Sequence, residues 1–161
     1  MKKAFLFVSV FLFSFLLQAQ TPNPLLKPFD TPFGVPPFEQ IDNEHFLPAF
    51  EAGIRENKAE IEAIVSNPAP PDFENTIVAY DRSGEMLSRI SPVFGGLRGA
   101  NTNKRLQEIA RETTPMLTEH YNDIRFNQGL FNRIKSVYDQ RNSLNLNPEQ
   151  LLLVEKIYDD F

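Results

Sequence analysis

The 161-residue sequence contains no cysteine and only two histidines, His45 and His120. The absence of cysteine excludes disulfide bonds, a lipid-modified cysteine after the leader, and a thiol nucleophile. The scarcity of histidine restricts metal binding and acid–base catalysis, because imidazole is the commonest metal ligand among side chains. The two histidines are therefore the first residues to test for catalytic chemistry.

Neither histidine lies in the arrangement that a helical zinc site needs. A catalytic zinc takes three protein ligands and leaves one position for water. In the helical motif H-E-x-x-H, two histidines one turn apart face the metal. His45 and His120 are 75 residues apart, and neither is followed by Glu-x-x-His. We interpret His45, which follows Glu44, as a helix-entry residue and His120 as a packed, hydrogen-bonded histidine. A zinc site built from both and one carboxylate is the minor alternative.

Motifs for nucleophilic catalysis and phosphate binding are also missing from the sequence. It has no G-x-S-x-G elbow, and Ser83-Gly84 is interpreted as part of a helix. The glycine-rich segment 95–100 follows a helical pattern rather than a strand, so it predicts a mobile hinge and not a dinucleotide fingerprint. Neighbouring carboxylates such as Glu60 and Glu62 predict solvated helix faces. We assign no catalytic, cofactor-binding or metal-binding residue to this chain.

Residues 1–19 have the layout of a secretory signal peptide. Lys2 and Lys3 supply a positive start, an apolar run covers residues 4–17, and Ala19 is a small residue suited to signal peptidase. The apolar run is short for a membrane span, although an uncut N-terminal anchor is the alternative. This interpretation predicts a periplasmic or extracellular protein with no stable membrane association after cleavage.

Positive charge is also in short supply. Removing Lys2 and Lys3 leaves 14 of the 16 Lys and Arg residues against 21 Asp and Glu residues, so the formal net charge changes from −5 to −7. Nucleic acid and anionic membranes attract proteins with a positive surface. The charge therefore argues against nucleic acid as a partner.

A proline-rich extended arm is predicted for residues 20–41. Its six prolines prevent a continuous helix, because proline lacks the amide donor and clashes with the preceding turn. Large apolar side chains predict that the arm lies on a helical body and buries them: Leu25, Leu26, Phe29, Phe33 and Phe38. A disordered linker is the alternative.

Residues 42–161 predict an all-α fold of about five amphipathic helices, because apolar residues recur at spacings of three, four and seven. The first helix is expected to begin near Asp42 and to stop at Asn67-Pro68. The second is expected to begin near Asp72, to be weakened at Gly84 and to be kinked at Pro92. No alternating strand pattern competes with these helices.

Three more helices follow in the sequence. The third is predicted from near Thr102, and the fourth begins after a break near Gly129. The pair Asn147-Pro148 is a strong start signal for the last helix, with Asn as the cap and Pro at the first helical position. That helix has no terminating glycine or proline and is expected to end on an exposed Phe161, which predicts a truncated chain.

Several segments occur in an order that resembles a known family. They are EHFLPAFEAGI at residues 44–54, NPAPPDFENTI at residues 67–77 and the S-G-E-M-L run that begins at Ser83. The similarity covers residues 38–161. This region resembles the N-terminal part of the zinc metallopeptidases related to thimet oligopeptidase, and among them it is most similar to the bacterial peptidyl-dipeptidase type.

The resemblance implies a nearly all-helical peptidase with a deep channel between two lobes. The N-terminal helices of such enzymes form much of one lobe and admit only short peptides, from which the dipeptidase type removes C-terminal dipeptides. Their zinc ligands, an H-E-x-x-H motif and a third glutamate, lie far downstream. We therefore expect short peptides as partners, zinc in the full-length parent and none in this chain. A non-catalytic exported peptide- or protein-binding module, or a small structural protein of the envelope, is the alternative.

Overall fold

A computed structural model describes residues 22–161 of the protein, so the predicted signal peptide lies outside the described residues. The described part contains no strand, and the predicted all-α class is confirmed. One short helix, α2, accompanies five long ones. The helices are α1 (Phe46–Val65), α2 (Ala79–Arg82), α3 (Glu85–Ala100), α4 (Lys104–Arg125), α5 (Gln128–Gln140) and α6 (Pro148–Asp159). In residues 22–161 no helix combines the length and apolar character needed to cross a bilayer.

Capping side chains lie at the N-termini of the helices, close to the predicted helix starts. Asp72 accepts the backbone N–H of Asn75 at 2.7 Å and so begins the π-helical turn Phe73–Val78 that leads into α2. Asn103, Asn127 and Asn147 likewise cap α4, α5 and α6. Each cap satisfies an amide that has no partner inside its helix. The predicted starts near residues 72, 102, 129 and 147 are thus confirmed.

Helix α1 is central to the packing, and an apolar cluster surrounds each of its halves. The first cluster joins the start of α1 to α3, α4 and the arm through Leu25, Phe46, Ala49, Phe50, Met86, Leu87, Ile90, Val93, Phe94, Leu106 and Ile109. The second cluster joins its end to α5 and α6 through Ile61, Ile64, Ile77, Ile124, Leu130, Ile134, Val137, Val154 and Ile157. Burial of these side chains supplies the main driving force for the fold.

The arm is fixed to the body at its start but not along its whole length. Leu25 is fully buried in the first cluster, and Phe29 is half-buried against it. The expectation that the other rings are buried is wrong, because Phe33 is 103% exposed and Phe38 is 51% exposed. The chain turns back on itself at Pro32–Gly34, which leaves the ring at the tip of the turn without a neighbour.

The predicted hinge at residues 95–100 is wrong, since this segment forms the last turns of α3, which also runs through Pro92. The helix breaks instead at Gly84, where φ is +73°. The interpretation of Ser83-Gly84 as part of a helix is therefore wrong too. A left-handed residue with a side chain costs roughly 1–2 kcal/mol, so glycine suits the break. Phe94 and Leu97 hold the end of α3 against the first cluster, which outweighs the weak helix propensity of its glycines.

Phe161 is half-buried rather than exposed, which corrects the expectation from the sequence. Helix α6 ends at Asp159, and the ring of Phe161 then packs edge-on against Tyr80 with 5.5 Å between ring centroids. The last residue of the chain therefore contacts α2 and extends the second cluster.

Candidate functional site

Glu44 and His45 begin the helical body as parts of a local cap. The Nδ1 atom of His45 accepts the backbone N–H of Asp42 at 3.0 Å, and the N–H of His45 donates to the carbonyl of Asp42 at 3.0 Å. The prediction that His45 is a helix-entry residue is confirmed. Glu44 accepts two hydrogen bonds of 2.7 Å from Arg105 of α4, and these bonds hold the pKa of its carboxyl below the usual range.

His120 lies in a buried polar layer between the two apolar clusters. Its side chain is 1% exposed, and its Nε2 atom lies 2.8 Å from Oδ1 of Asn57, itself a buried residue. The Nδ2 group of Asn57 donates to Glu60 at 3.2 Å, so Oδ1 of Asn57 is the acceptor and His120 Nε2 carries the proton. Nδ1 of His120 is buried without a hydrogen-bond partner. The predicted packed, hydrogen-bonded histidine is confirmed.

Glu60 connects this layer to the break before α3. Its carboxylate accepts the backbone N–H of Gly84 at 2.7 Å as well as the amide of Asn57. We call His120, Asn57, Glu60 and Gly84 the polar layer. The prediction of a solvated Glu60 is wrong, because its side chain is half-buried. The burial of Asn57 could have been predicted from the sequence. The helical spacing from Phe50 through residue 57 to Ile61 places Asn57 on the apolar stripe of α1.

The polar layer favours a neutral His120. Burial lowers the pKa of the imidazole first, the positive charge of Lys58 lowers it further, and the carboxylate of Asp123 opposes both. Lys58 and Asp123 also pair with each other at 3.2 Å on the surface above the ring. A buried neutral imidazole whose Nε2 atom is hydrogen-bonded to Asn57 suits a structural role better than proton transfer to a substrate.

A cleft of about 610 Å³ lies beside the polar layer. The break before α3, the end of α4, and α6 form its walls, and Asn57 reaches it from α1. Three kinds of group line it: the rings of Tyr80, Tyr121 and Phe161, the cations Arg125 and Lys156, and the carboxylates Asp81 and Asp160. Aromatic walls with charges of both signs can accept a polypeptide segment. The lining contains no histidine and therefore no histidine base beside a hydroxyl.

A catalytic zinc does not fit the described residues. Nowhere in residues 22–161 are three or more His, Asp or Glu side chains grouped so that they could hold a metal. His45 precedes α1 and is bonded to Asp42, whereas His120 lies within α4 and is bonded to Asn57. The minor alternative, a zinc site made from both histidines and one carboxylate, is therefore wrong for this arrangement. That the chain binds no zinc stays a prediction for metal analysis.

The chain is similar in sequence to characterised bacterial peptidases. It is 43% identical to dipeptidyl carboxypeptidase of Salmonella typhimurium over 139 residues. This aligned region covers 86% of this chain and 20% of that protein. It is also 43% identical to dipeptidyl carboxypeptidase of Escherichia coli over 141 residues, and that aligned region covers 88% of this chain and 21% of that protein. Oligopeptidase A of Salmonella typhimurium is 30% identical over 139 residues, or 86% of this chain and 20% of that protein.

The chain thus spans about one fifth of the length of the curated relatives it matches. No family model matches it. The relatives nevertheless match most of the described helical body rather than a single motif, and two differently named peptidases do so over the same length of 139 residues.

Proposed function

Because the chain belongs to the thimet-oligopeptidase family of peptidases, which includes dipeptidyl carboxypeptidase and oligopeptidase A, we propose that it is the substrate-gating region of an exported zinc peptidase of the peptidyl-dipeptidase type. The identity of 43% over 86% of the chain carries this proposal. The identity to oligopeptidase A is lower, at 30%, so the proposal follows the dipeptidyl carboxypeptidases.

The proposed gate works by shape. Two apolar clusters joined by a buried polar layer make a packed helical wall, and a packed interior resists deformation. Such a wall excludes folded or bulky chains from a channel while it lets short peptides pass. In this proposal the zinc and its ligands belong to polypeptide other than residues 22–161. The substrates are short peptides, and the leader layout of residues 1–19 supports an exported, periplasmic or extracellular enzyme.

A chimera tests the gating proposal. Residues 22–161 replace the matching fifth of the Escherichia coli dipeptidyl carboxypeptidase, and hydrolysis of peptides of increasing length is measured. We expect an active chimera whose preference for short peptides is retained. A chimera that is folded but cleaves long and short peptides equally well would contradict the gating role.

The isolated chain separates this proposal from the alternative of a non-catalytic binding module. Purified residues 22–161 are expected to hold no stoichiometric zinc and to cleave no short peptide. One tightly held zinc per chain, or hydrolysis by material free of contaminating protease, would contradict the proposed division between wall and metal centre. Tight peptide binding by the isolated chain, together with an inactive chimera, would favour the binding module.

The genomic reading frame gives an independent test. If the proposal is correct, the frame continues beyond the codon for Phe161 and encodes His-Glu-x-x-His several hundred residues later. A stop codon at that point, with no such frame downstream, would favour the binding module.

A further inference from the structure

The arm carries a strained and exposed aromatic residue at the tip of a turn. Phe33 has φ +61° and ψ +17°, a left-handed conformation that bulky residues rarely adopt, and its side chain is fully exposed. The N–H of Gly34 donates to the carbonyl of Thr31 at 2.9 Å, and the hydroxyl of Thr31 donates to the carbonyl of Val35. These bonds stabilise the turn and hold the ring outward, but the fully exposed ring itself gains no packing within residues 22–161 to offset the backbone strain.

Other apolar side chains accompany Phe33. Four of the seven large apolar residues that are exposed in the described chain lie in the arm, and we call them the arm patch: Leu26, Phe33, Val35 and Phe38. The arm itself is anchored, because Leu25 is buried in the first cluster and Asn23 donates to the carbonyl of His45 at 2.8 Å. The patch is therefore presented from a fixed base.

We infer that the arm patch docks on polypeptide of the same peptidase outside the matched fifth, and that Phe33 enters an apolar pocket there. This inference rests on the proposed function. Strained conformations persist where the surrounding structure fixes them, and they cluster at functional positions. Residues 31–38 include three prolines, so the segment loses little conformational entropy on docking. The relatives are about five times as long as the matched region, which supplies the required partner surface.

Charge argues against the other occupants. Residues 31–38 contain no charged side chain, whereas a surface that binds anionic lipid needs clustered Lys and Arg. A second copy of the chain offers a cleft that Arg125, Lys156, Asp81 and Asp160 line together with aromatic rings, and its four charged side chains favour a charged peptide over an uncharged turn. An apolar pocket in the remainder of a peptidase meets neither difficulty.

The test compares Phe33→Asn in two settings. Asn tolerates the left-handed conformation, so the substitution removes the ring without adding strain. In the isolated chain, residues 22–161, we expect an unchanged or slightly raised melting temperature. In the chimera with the Escherichia coli relative, we expect peptidase activity to be lost at raised temperature several-fold faster than in the parental chimera. Glu39→Gln, an exposed polar change in the same arm, is the matched control and is expected to leave both proteins unchanged.

The outcomes distinguish this inference from the proposed function. An active parental chimera that Phe33→Asn does not destabilise would overturn the docking of the arm and leave the gating proposal intact. An inactive parental chimera would count against the proposed function and, with it, the inference that rests on it. Self-association or vesicle binding of the isolated chain that disappears in Phe33→Asn would assign the patch to a second copy or to lipid instead, and would also overturn it.

Discussion

The carboxylate of Glu60 accepts the backbone N–H of Gly84 at 2.7 Å and so joins α1 to the break that precedes α3. This bond fixes the point at which α3 begins, and α3 then carries Leu87 and Ile90 into the first cluster. Gly84 is also in close contact with Asn57 of the polar layer. The packing of α3 on α1 therefore depends on a polar contact as well as on apolar burial.

Two glycine substitutions in the same region are expected to have opposite effects on stability. Gly84→Ala adds a Cβ at a position with φ +73°, 3.2 Å from side-chain atoms of Asn57, and should lower the free energy of unfolding by about 1–2 kcal/mol. Gly95→Ala adds a Cβ that meets nothing within 4 Å, on the exposed side of α3, and should raise it by about 0.5–1 kcal/mol. Urea unfolding of residues 22–161 measures both. Equal effects of the two substitutions would contradict the position of the break.

Removal of the Glu60 side chain tests the polar layer directly. Glu60→Ala leaves the amide of Gly84 and the side chain of Asn57 without their acceptor, and hydrogen bonds to charged groups contribute about 1.5–3 kcal/mol. We expect a loss of that order in the free energy of unfolding. Glu62→Ala, two residues along the same helix and exposed, should change it by less than about 0.5 kcal/mol. A Glu60 variant as stable as the Glu62 variant would show that the layer contributes little.

Local signals in the sequence identified the helix starts, and tertiary contacts decided what the sequence did not reveal. Asp72 and Asn147 act on amides only three residues away, so their roles follow from short patterns. Glu60 is partnered by Gly84, 24 residues later, and nothing in its own helix indicates this. The glycines of residues 95–100 suggested a hinge because propensity alone disfavours a helix there, whereas packing of Phe94 and Leu97 sustains it.

The sequence predicted the roles of the two histidines but not the cleft near them. His45 was correctly interpreted as a helix-entry residue and His120 as a packed, hydrogen-bonded one. The sequence alone shows that the two histidines lack the spacing of metal ligands. The cleft beside the polar layer was not predicted, because residues from three separated regions, such as Tyr80, Tyr121 and Lys156, form it together. The exposure of Phe33 was missed because apolar composition does not reveal which side chains find a partner.

Arg133 of α5 is expected to hold the proline-rich loop that follows α1. Its Nη1 atom donates to the carbonyls of Asn67 and Ala69 at 2.9 and 3.3 Å, and Nη2 donates to Oδ1 of Asn75 at 3.0 Å. Arg133→Met keeps most of the apolar volume but removes these donors, and should lower the free energy of unfolding by about 2–3 kcal/mol. Arg55→Met, on the exposed face of α1, is the control and should be nearly neutral. Equal stabilities of the two variants in urea would contradict this role.

The buried imidazole of His120 should make stability depend on pH in a defined window. Burial lowers the pKa of His120 in the folded chain below the usual value of 6.5, so between these two values the unfolded chain binds the proton and the folded chain does not. Proton uptake therefore favours unfolding. The stabilisation is fully present above pH 6.5 and is lost as the pH falls toward the pKa of the folded state. The slope should reach at most about 1.4 kcal/mol per pH unit.

Urea unfolding of residues 22–161 between pH 7.5 and about pH 5 measures this slope, above the range in which carboxylates titrate. His120→Gln keeps an amide donor for Asn57 but cannot titrate, so its free energy of unfolding should be nearly constant across the window, even if lower throughout. His45→Gln changes the other histidine of the sequence and is the matched control, because a slope that belongs to His120 persists in this variant. Since Glu44 has a lowered pKa, its pairing with Arg105 is lost only at more acidic pH and does not enter the comparison. A slope that persists in His120→Gln would assign the dependence to other groups and would remove the argument that the polar layer holds a neutral imidazole.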